Sequence, residues 1–182
     1  LTGCVNQHPK DSKKSSQGES VETMLEITDP KEKQAVLNAK AKVKALSGNP
    51  RIVATSPAVA DICDKLDLDL VGVPKSSVSK IPSRYKKVKK VGLAMSPDME
   101  IVSSLNPDWI LAPSSLETDL KPKFEELKNT EYAFLNLRSV QGMYRSAQEL
   151  GEIFGKQQEA EKMTKEFTTF YKSYTKRNKN KK

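Results

Sequence analysis

Short apolar runs alternate with helical repeats from Arg51 onward. The runs are rich in β-branched, leucine and aromatic residues, a composition typical of buried strands. They cover residues 51–55, 70–73, 109–112 and 132–135. Segments with apolar residues at helical spacing separate them, at residues 59–66, 101–105 and 124–127. This β-α-β-loop-α-β-α-β order predicts an α/β fold, a Rossmann-like lobe with a mainly parallel sheet and right-handed crossovers.

Three features of this pattern predict a ligand site, a helix start and a core residue. The polar loop at 74–82 follows the second strand, and parallel α/β sheets bind ligands at the carboxyl ends of their strands. Ser56 and Pro57 are typical of an N-cap and a first helical position. Cys63 lies on the apolar face of the helix that follows, so we predict a buried thiol rather than a reactive one.

A continuous helical pattern closes the sequence. Apolar residues recur at helical spacing from Ser139, and no Pro follows up to Lys182. Gly151 and Gly155 are points where a helix can bend. The pattern predicts a lobe over residues 51–138 and one long helix over residues 139–182.

The first fifty residues are organised differently. Residues 1–20 carry few apolar side chains, so burial cannot offset their conformational entropy and we predict a flexible tether. Residues 21–50 mix apolar residues with Lys, Glu and Ala, and Asp29-Pro30 predicts the start of a helix that ends near Ala45. The turn residues at 47–50 separate this helical linker from the lobe.

Composition narrows the classes of function. The 182-residue chain has 31 Lys and Arg against 23 Asp and Glu, a formal net charge of +8, and its mean hydropathy is -0.61. No apolar run approaches the roughly 20 residues of a membrane-spanning helix. One His and two Cys are too few for a Cys/His zinc site or a disulfide framework. The domain has no Ser-His-Asp set, P-loop or paired-carboxylate motif, so we do not expect an enzyme.

A basic run at residues 84–90 places five positive charges in seven residues. Nucleic-acid binding is one interpretation, but the run has a single aromatic residue and matches no known binding motif. We expect a solvated basic surface that faces anionic polymers of the cell envelope, and no nucleic-acid partner.

The first four residues, Leu1-Thr2-Gly3-Cys4, resemble a bacterial lipobox. The resemblance implies that the Cys4 sulfur carries a lipid and that the polar tether joins this anchor to the domain. The protein would then lie on the outer face of the cytoplasmic membrane, as in Gram-positive bacteria. The alternative is an ordinary thiol near an arbitrary fragment start.

Several motifs carry a family resemblance. They are residues 51–53, 64–68, Val71-Gly72 with Pro74, 84–86, Gly92-x-x-Met95-x-Pro97 and 106–111. With them the chain resembles, from about Arg51 to Lys182, the lipid-anchored substrate-binding proteins of bacterial iron-compound ABC importers, and among these the haem receptors. The resemblance implies one half of a bilobed protein: an amino-terminal lobe and a long inter-lobe spacer helix, with the second lobe absent from this chain.

The same resemblance implies an axial ligand for the haem iron. Met95 matches the methionine that haem receptors contribute from the amino-terminal lobe, and a thioether is a known soft ligand of haem iron. The alternative for Met95 is packing in the core. The second ligand would be a His of the missing lobe, because His8, the only His, lies in the tether.

The remaining site residues are also implied by the resemblance. The haem propionates would be contacted by Pro57 and Ala58 at the first helix start, and by Ser76 and Ser77 in the loop after the second strand. Ser77 stands where the family is expected to have Tyr. The alternative for the serines is an ordinary polar loop. Glu100 would dock on arginines of the permease, or else be a helix-dipole residue only.

The implied function is extracellular, lipid-anchored binding of haem b and its delivery to an ABC permease for iron acquisition. A cell-surface haem donor protein would supply the haem. Two alternatives stay open at this point. One is binding of a siderophore or cobalamin by the same fold, with Met95 as packing. The other is a truncated surface lipoprotein that acts as an interaction module through its basic face.

Overall fold

The structure, a computed structural model, describes residues 24–181. Its seven strands are β1 Ile52–Ala54, β2 Gly72–Val73, β3 Lys89–Lys90, β4 Gly92–Leu93, β5 Ser96–Pro97, β6 Trp109–Pro113 and β7 Glu131–Leu135. Its α-helices are α1 Pro30–Lys44, α2 Pro57–Lys65, α3 Met99–Ser104, α4 Glu117–Glu125, α5 Val140–Phe154 and α6 Gln157–Lys179. Two 3-10 helices lie at Ser83–Tyr85 and Ser114–Leu116.

Five strands form one parallel sheet in the order β3-β2-β1-β6-β7. The remaining two, β4 and β5, form a small antiparallel hairpin. The α/β fold with a mainly parallel sheet is therefore confirmed. Strand β3 was not predicted, because its two lysines are exposed and carry no apolar signal.

Helices cover both faces of the sheet. Ile52 and Ala54 of β1 face the layer that contains α2, α5 and α6, whereas Val53 faces the layer of α3 and α4. This alternation follows from the two-residue period of a strand, and it explains why the central strands are apolar throughout. The result is a three-layer sandwich in which the sheet edges, and not its faces, remain open to ligands.

The prediction of one long helix over residues 139–182 is wrong, because the structure has two helices there. Helix α5 ends at Phe154. The next residue, Gly155, adopts left-handed angles (φ 70°, ψ 32°), and the Lys156 N–H donates to the Gly151 carbonyl over 2.7 Å. The chain then reverses, so that Tyr144 of α5 lies 5.0 Å from Phe167 of α6 between ring centroids. Glycine permits this turn because it has no Cβ to clash in the left-handed region. The two helices form an antiparallel pair, and only α6 extends towards the carboxyl end.

Helix α1 occupies its predicted segment and packs against α5. Lys40 of α1 pairs with Glu152 of α5 at 2.5 Å, and Lys42 pairs with Glu131 of β7 at 2.8 Å. Val36 and Ala39 are buried in the contact. Leu25 is buried as well, and Gln141 and Arg145 of α5 donate to the Met24 carbonyl, so the segment predicted as a linker is part of the folded lobe from Met24 onward.

Candidate functional site

Five loops converge at the carboxyl edge of the sheet. Because the five sheet strands are parallel, their exits lie on one side of the molecule. The loops cover residues 55–58, 74–81, 91–98, 113–116 and 136–139. These loops contain three of the residue groups singled out by the sequence, Pro57-Ala58, Ser76-Ser77 and Met95, and Glu100 follows the loop at 91–98 in the first turn of α3.

The start of α2 supplies a backbone donor to this edge. Ser56 caps the helix, its Oγ accepting from the Val59 N–H at 3.2 Å, and the Ala60 N–H donates to the Ser56 carbonyl. Pro57 has no N–H. Within the described residues the Ala58 N–H has no hydrogen-bond partner, and Ala58 is exposed. Pro57 shapes the turn, and Ala58 is the residue that can donate to a carboxylate.

The loop after β2 is held by its own serine. Ser76 Oγ accepts hydrogen bonds from the Ser79 N–H at 3.0 Å and the Val78 N–H at 3.3 Å. Both bonds use the oxygen as acceptor, so the hydroxyl hydrogen can still be donated to a ligand. Ser77 is exposed beside it. The two serines border a cavity of about 490 Å³.

Met95 lies at the tip of the β4–β5 hairpin and is 75% exposed. The alternative in which Met95 fills the core is therefore wrong. Leu93 of the same hairpin is also exposed, by 58%. The hairpin base is fixed by bonds from the Asp98 N–H to the Val91 carbonyl and from the Lys75 N–H to the Gly92 carbonyl. A flexible thioether is thus presented to solvent on a short, tethered support.

Glu100 is exposed in the first turn of α3, where Asp98 is the N-cap. Asp98 Oδ1 accepts from the Glu100 and Ile101 N–H groups at 3.1 and 3.2 Å. The carboxylate of Glu100 is near the positive end of the helix, and it forms no ion pair within the described residues.

Sequence reasoning missed two groups at the same edge. The first consists of further exposed apolar side chains, Val78, Leu93 and Val140, which come from three different loops or loop ends. The second consists of Lys75, Lys80 and Lys90, which line the cavity with the serines. Lys75 and Lys80 flank Ser76 and Ser77 in the sequence, a signal that could have been used. Lys90 is brought in only by strand pairing.

The basic run has a structural part and a solvated part. Arg84 binds Asp67 at 2.9 Å and Asp69 at 3.0 Å, and this lowers the pKa of Asp67. Tyr85 is buried, and its hydroxyl donates to the Leu68 carbonyl at 2.5 Å. The four lysines of the run are exposed. The solvated surface predicted there consists of the lysines alone.

Cys63 is fully buried, and burial raises the pKa of its thiol to about 12. The prediction of a core thiol is confirmed.

Cys4 and His8 lie outside the described residues. Within residues 24–181 no group of three or more His, Cys, Asp or Glu side chains is placed to hold a metal ion. None of the helices described is both long and apolar enough to cross a bilayer.

The sequence profile of a family described as "Periplasmic binding protein" matches residues 52–182. The chain belongs to this family. The match covers well over half of the chain, begins at the first residue of β1 and includes the whole carboxyl edge. Proteins of this family are substrate-binding components of transport systems.

The relatives of this periplasmic binding protein include iron-compound receptors. The chain is 36% identical over 117 residues to the high-affinity heme uptake system protein IsdE of Staphylococcus aureus, covering 64% of this chain and 39% of the relative. The crystal structure of S. aureus IsdE complexed with heme is 34% identical, with a TM-score of 0.62 over 74% of this chain and 50% of that one.

Two further solved structures broaden the comparison. An ABC transporter substrate-binding protein from Listeria monocytogenes EGD-e is 44% identical, with a TM-score of 0.64 over 67% of this chain and 46% of that one. The siderophore-binding protein BauB, bound to acinetobactin and ferric iron, is 25% identical, with a TM-score of 0.57 over 66% and 45% of the two chains. The chain thus spans half or less of the relatives it matches.

Proposed function

We propose that this chain is the ligand-binding amino-terminal lobe of a haem receptor that delivers haem to an ABC permease. The observation that carries the proposal is the exposed Met95 at the carboxyl edge of the sheet, at the tip of a tethered hairpin. An exposed methionine leaves apolar surface in contact with water. Binding a ligand there is favourable because it removes this surface from water.

The surroundings of Met95 suit a flat apolar ligand with carboxylate groups. Val78, Leu93 and Val140 add exposed apolar side chains at the same edge. Hydrogen-bond donors come from the hydroxyls of Ser76 and Ser77 and from the Ala58 N–H, which follows Pro57 at the start of α2. Haem combines an iron that accepts a thioether, an apolar ring and two propionates. The similarity to IsdE supports the same ligand.

A haem titration followed by absorbance tests the proposal. We expect a Soret shift with the chain, reduced by Met95→Ala and by Met95→Leu, because leucine keeps the apolar volume and removes the sulfur ligand. Leu93→Ala is the matched control, since it trims an exposed apolar side chain of the same hairpin. Equal spectra for wild type and Met95→Leu would remove Met95 as an iron ligand.

A ferric siderophore is the second candidate ligand. The observation in its favour is the donor-rich loop after β2, together with the similarity to the siderophore-binding protein BauB. In that case Met95 makes only apolar contact. Met95→Ala and Leu93→Ala then weaken ligand binding to a similar extent, and haem gives no specific Soret shift.

Delivery and anchoring are the remaining parts of the proposal. Glu100 docks on basic residues of the permease through its free carboxylate, so Glu100→Gln should lower haem uptake by cells while leaving haem binding unchanged. Helix α6, rather than the whole segment after Ser139, is the spacer helix.

Cys4 carries the lipid that holds the protein on the outer face of the cytoplasmic membrane. Cys4→Ser should abolish incorporation of radiolabelled palmitate in a Gram-positive host.

A further inference from the structure

A lysine-lined cavity lies beside the β4–β5 hairpin. Its volume is about 490 Å³, and its walls include Lys75 and Lys80 of the loop after β2 and Lys90 at the end of β3. The hydroxyl residues Ser76, Ser77 and Ser79 line the same space. No acidic side chain among the described residues lines it. The polar side chains around the cavity are therefore those of lysines and serines.

The three lysines have no carboxylate partner among the ion pairs of residues 24–181. Arg84, which belongs to the same basic run as Lys90, is paired with Asp67 and Asp69. Arg84 is thus neutralised by carboxylates, whereas the three lysines around the cavity are not. Such a surface attracts an anion, since like charges raise the local positive potential.

Backbone bonds set the positions of two of the lysines. The pairing of β2 with β3 places Lys90 opposite Val73, two residues before Lys75. The Lys75 N–H in turn donates to the Gly92 carbonyl at 2.7 Å. Lys89 belongs to the opposite face of the strand, because successive side chains of a strand alternate. The cavity therefore combines lysines from separate segments, next to the support of Met95.

We propose that Lys75, Lys80 and Lys90 form a carboxylate subsite for the anionic groups of an iron-bearing ligand. The inference rests on the proposed function and names the charge that the ligand must carry. Haem propionates and the carboxylates of a ferric chelate share this chemistry. The ammonium groups act as charge-assisted donors, and the serine hydroxyls supply the neutral hydrogen bonds beside them.

The test uses two porphyrins that differ only in carboxylate charge, and a ferric carboxylate chelate as a third probe. Iron protoporphyrin and its dimethyl ester are titrated into the chain by absorbance in one detergent-containing buffer, and radiolabelled ferric citrate is used in equilibrium dialysis. The variant Lys75→Gln/Lys80→Gln/Lys90→Gln should bind the free-acid porphyrin about tenfold more weakly, since each exposed charge contact contributes little alone. Its affinity for the dimethyl ester should stay unchanged.

The matched control removes the same charge elsewhere in the basic run. Lys86→Gln/Lys87→Gln/Lys89→Gln should change the affinity for either porphyrin by about twofold at most, because these exposed lysines do not line the cavity. If the control weakens binding as much as the cavity variant, the effect is general electrostatics and the subsite is overturned.

Ligand patterns separate the subsite from the proposed function. If the ester and the free acid bind wild type equally, and the cavity variant binds both as wild type does, the subsite is wrong while haem binding stands. If ferric citrate binds and loses affinity in the cavity variant but porphyrin does not bind, the subsite stands and its ligand is a ferric carboxylate chelate. If none of the three probes binds, both the subsite and the proposed function fail.

Discussion

The Lys75 backbone N–H donates a hydrogen bond to the carbonyl oxygen of Gly92 over 2.7 Å. This bond joins the loop after β2 to the first residue of the hairpin that carries Met95. Gly92 has a φ of 102°, and an added Cβ would lie 3.1 Å from the Asp98 nitrogen. The position of Met95 therefore depends on a glycine three residues earlier.

Gly92→Ala should destabilise the lobe and weaken ligand binding. The substitution combines an unfavourable φ with contact against the Asp98 backbone, so we expect a loss of about 2 kcal/mol in the free energy of unfolding. Gly48→Ala is the control, because Gly48 has a similar φ of 106° and nothing within 4 Å of the added Cβ. Urea unfolding followed by the fluorescence of Trp109 measures both. A smaller loss for Gly92→Ala than for Gly48→Ala would contradict the close contact.

Gly151→Ala should disturb the α5–α6 pair. An added Cβ at Gly151 would lie 2.7 Å from the Ala160 Cβ and 3.0 Å from the Lys156 carbonyl oxygen. Overpacking of this kind costs about 1–3 kcal/mol of unfolding free energy. The double variant Gly151→Ala/Ala160→Gly should recover part of the loss, because the methyl group is moved across the contact. Additive losses in urea unfolding would indicate that the two helices do not meet there.

Cys63 should resist thiol reagents in the folded chain. Its raised pKa, about 12, and its burial remove both the thiolate and the access that reaction requires. In a Cys4→Ser background, Ellman's reagent should label Cys63 slowly at pH 8 and rapidly in urea. Since the folded pKa exceeds the unfolded one, the contribution of Cys63 to stability is lost as pH rises from about 9 towards 12. Rapid labelling without denaturant would falsify its placement in the core.

Glu149 should make stability depend on pH. Burial between α5 and α1, and then the neighbouring Glu32, raise the pKa of Glu149 to about 8. Between these two pKa values the folded chain binds a proton that the unfolded chain has released. The contribution of Glu149 to stability is therefore fully present below about pH 4.5 and is lost as pH rises through 8. We expect a loss of about 1–2 kcal/mol of unfolding free energy from pH 5 to pH 8, since partial exposure screens the charge.

Glu149→Gln should remove most of that loss in urea unfolding at the two pH values. Glu152→Gln is the control on the same helix, because Glu152 pairs with Lys40 and its pKa is lowered. Its contribution should be constant between pH 5 and pH 8. An unchanged pH dependence in Glu149→Gln would show that another group is responsible.

The sheet could be predicted because its signals are local. Each central strand is a short apolar run, and burial on both faces requires such a run whatever the rest of the chain does. The cap at Ser56 and the helix from Pro30 also depend on neighbouring residues only. The match of Gly92, Met95 and Pro97 to a family motif indicated a candidate site, but not whether Met95 is exposed.

Three features required the tertiary structure. The reversal at Gly155 depends on α6 finding a partner in α5, and helical periodicity is the same for one helix or two. The exposure of Met95 depends on the hairpin bonds at Gly92 and Asp98. The presence of Lys75 and Lys90 around one cavity depends on the pairing of β2 with β3.

The sequence by itself thus determined the parallel α/β lobe, and it predicted a candidate site at the carboxyl edge with residues at the start of α2 and after β2. Patterns of burial and capping record these choices within a few neighbouring residues. Only the tertiary structure decided which side chains share that edge, because lysines and exposed apolar residues carry no periodic signal. Their convergence comes from strand pairing and helix packing between segments far apart in the chain.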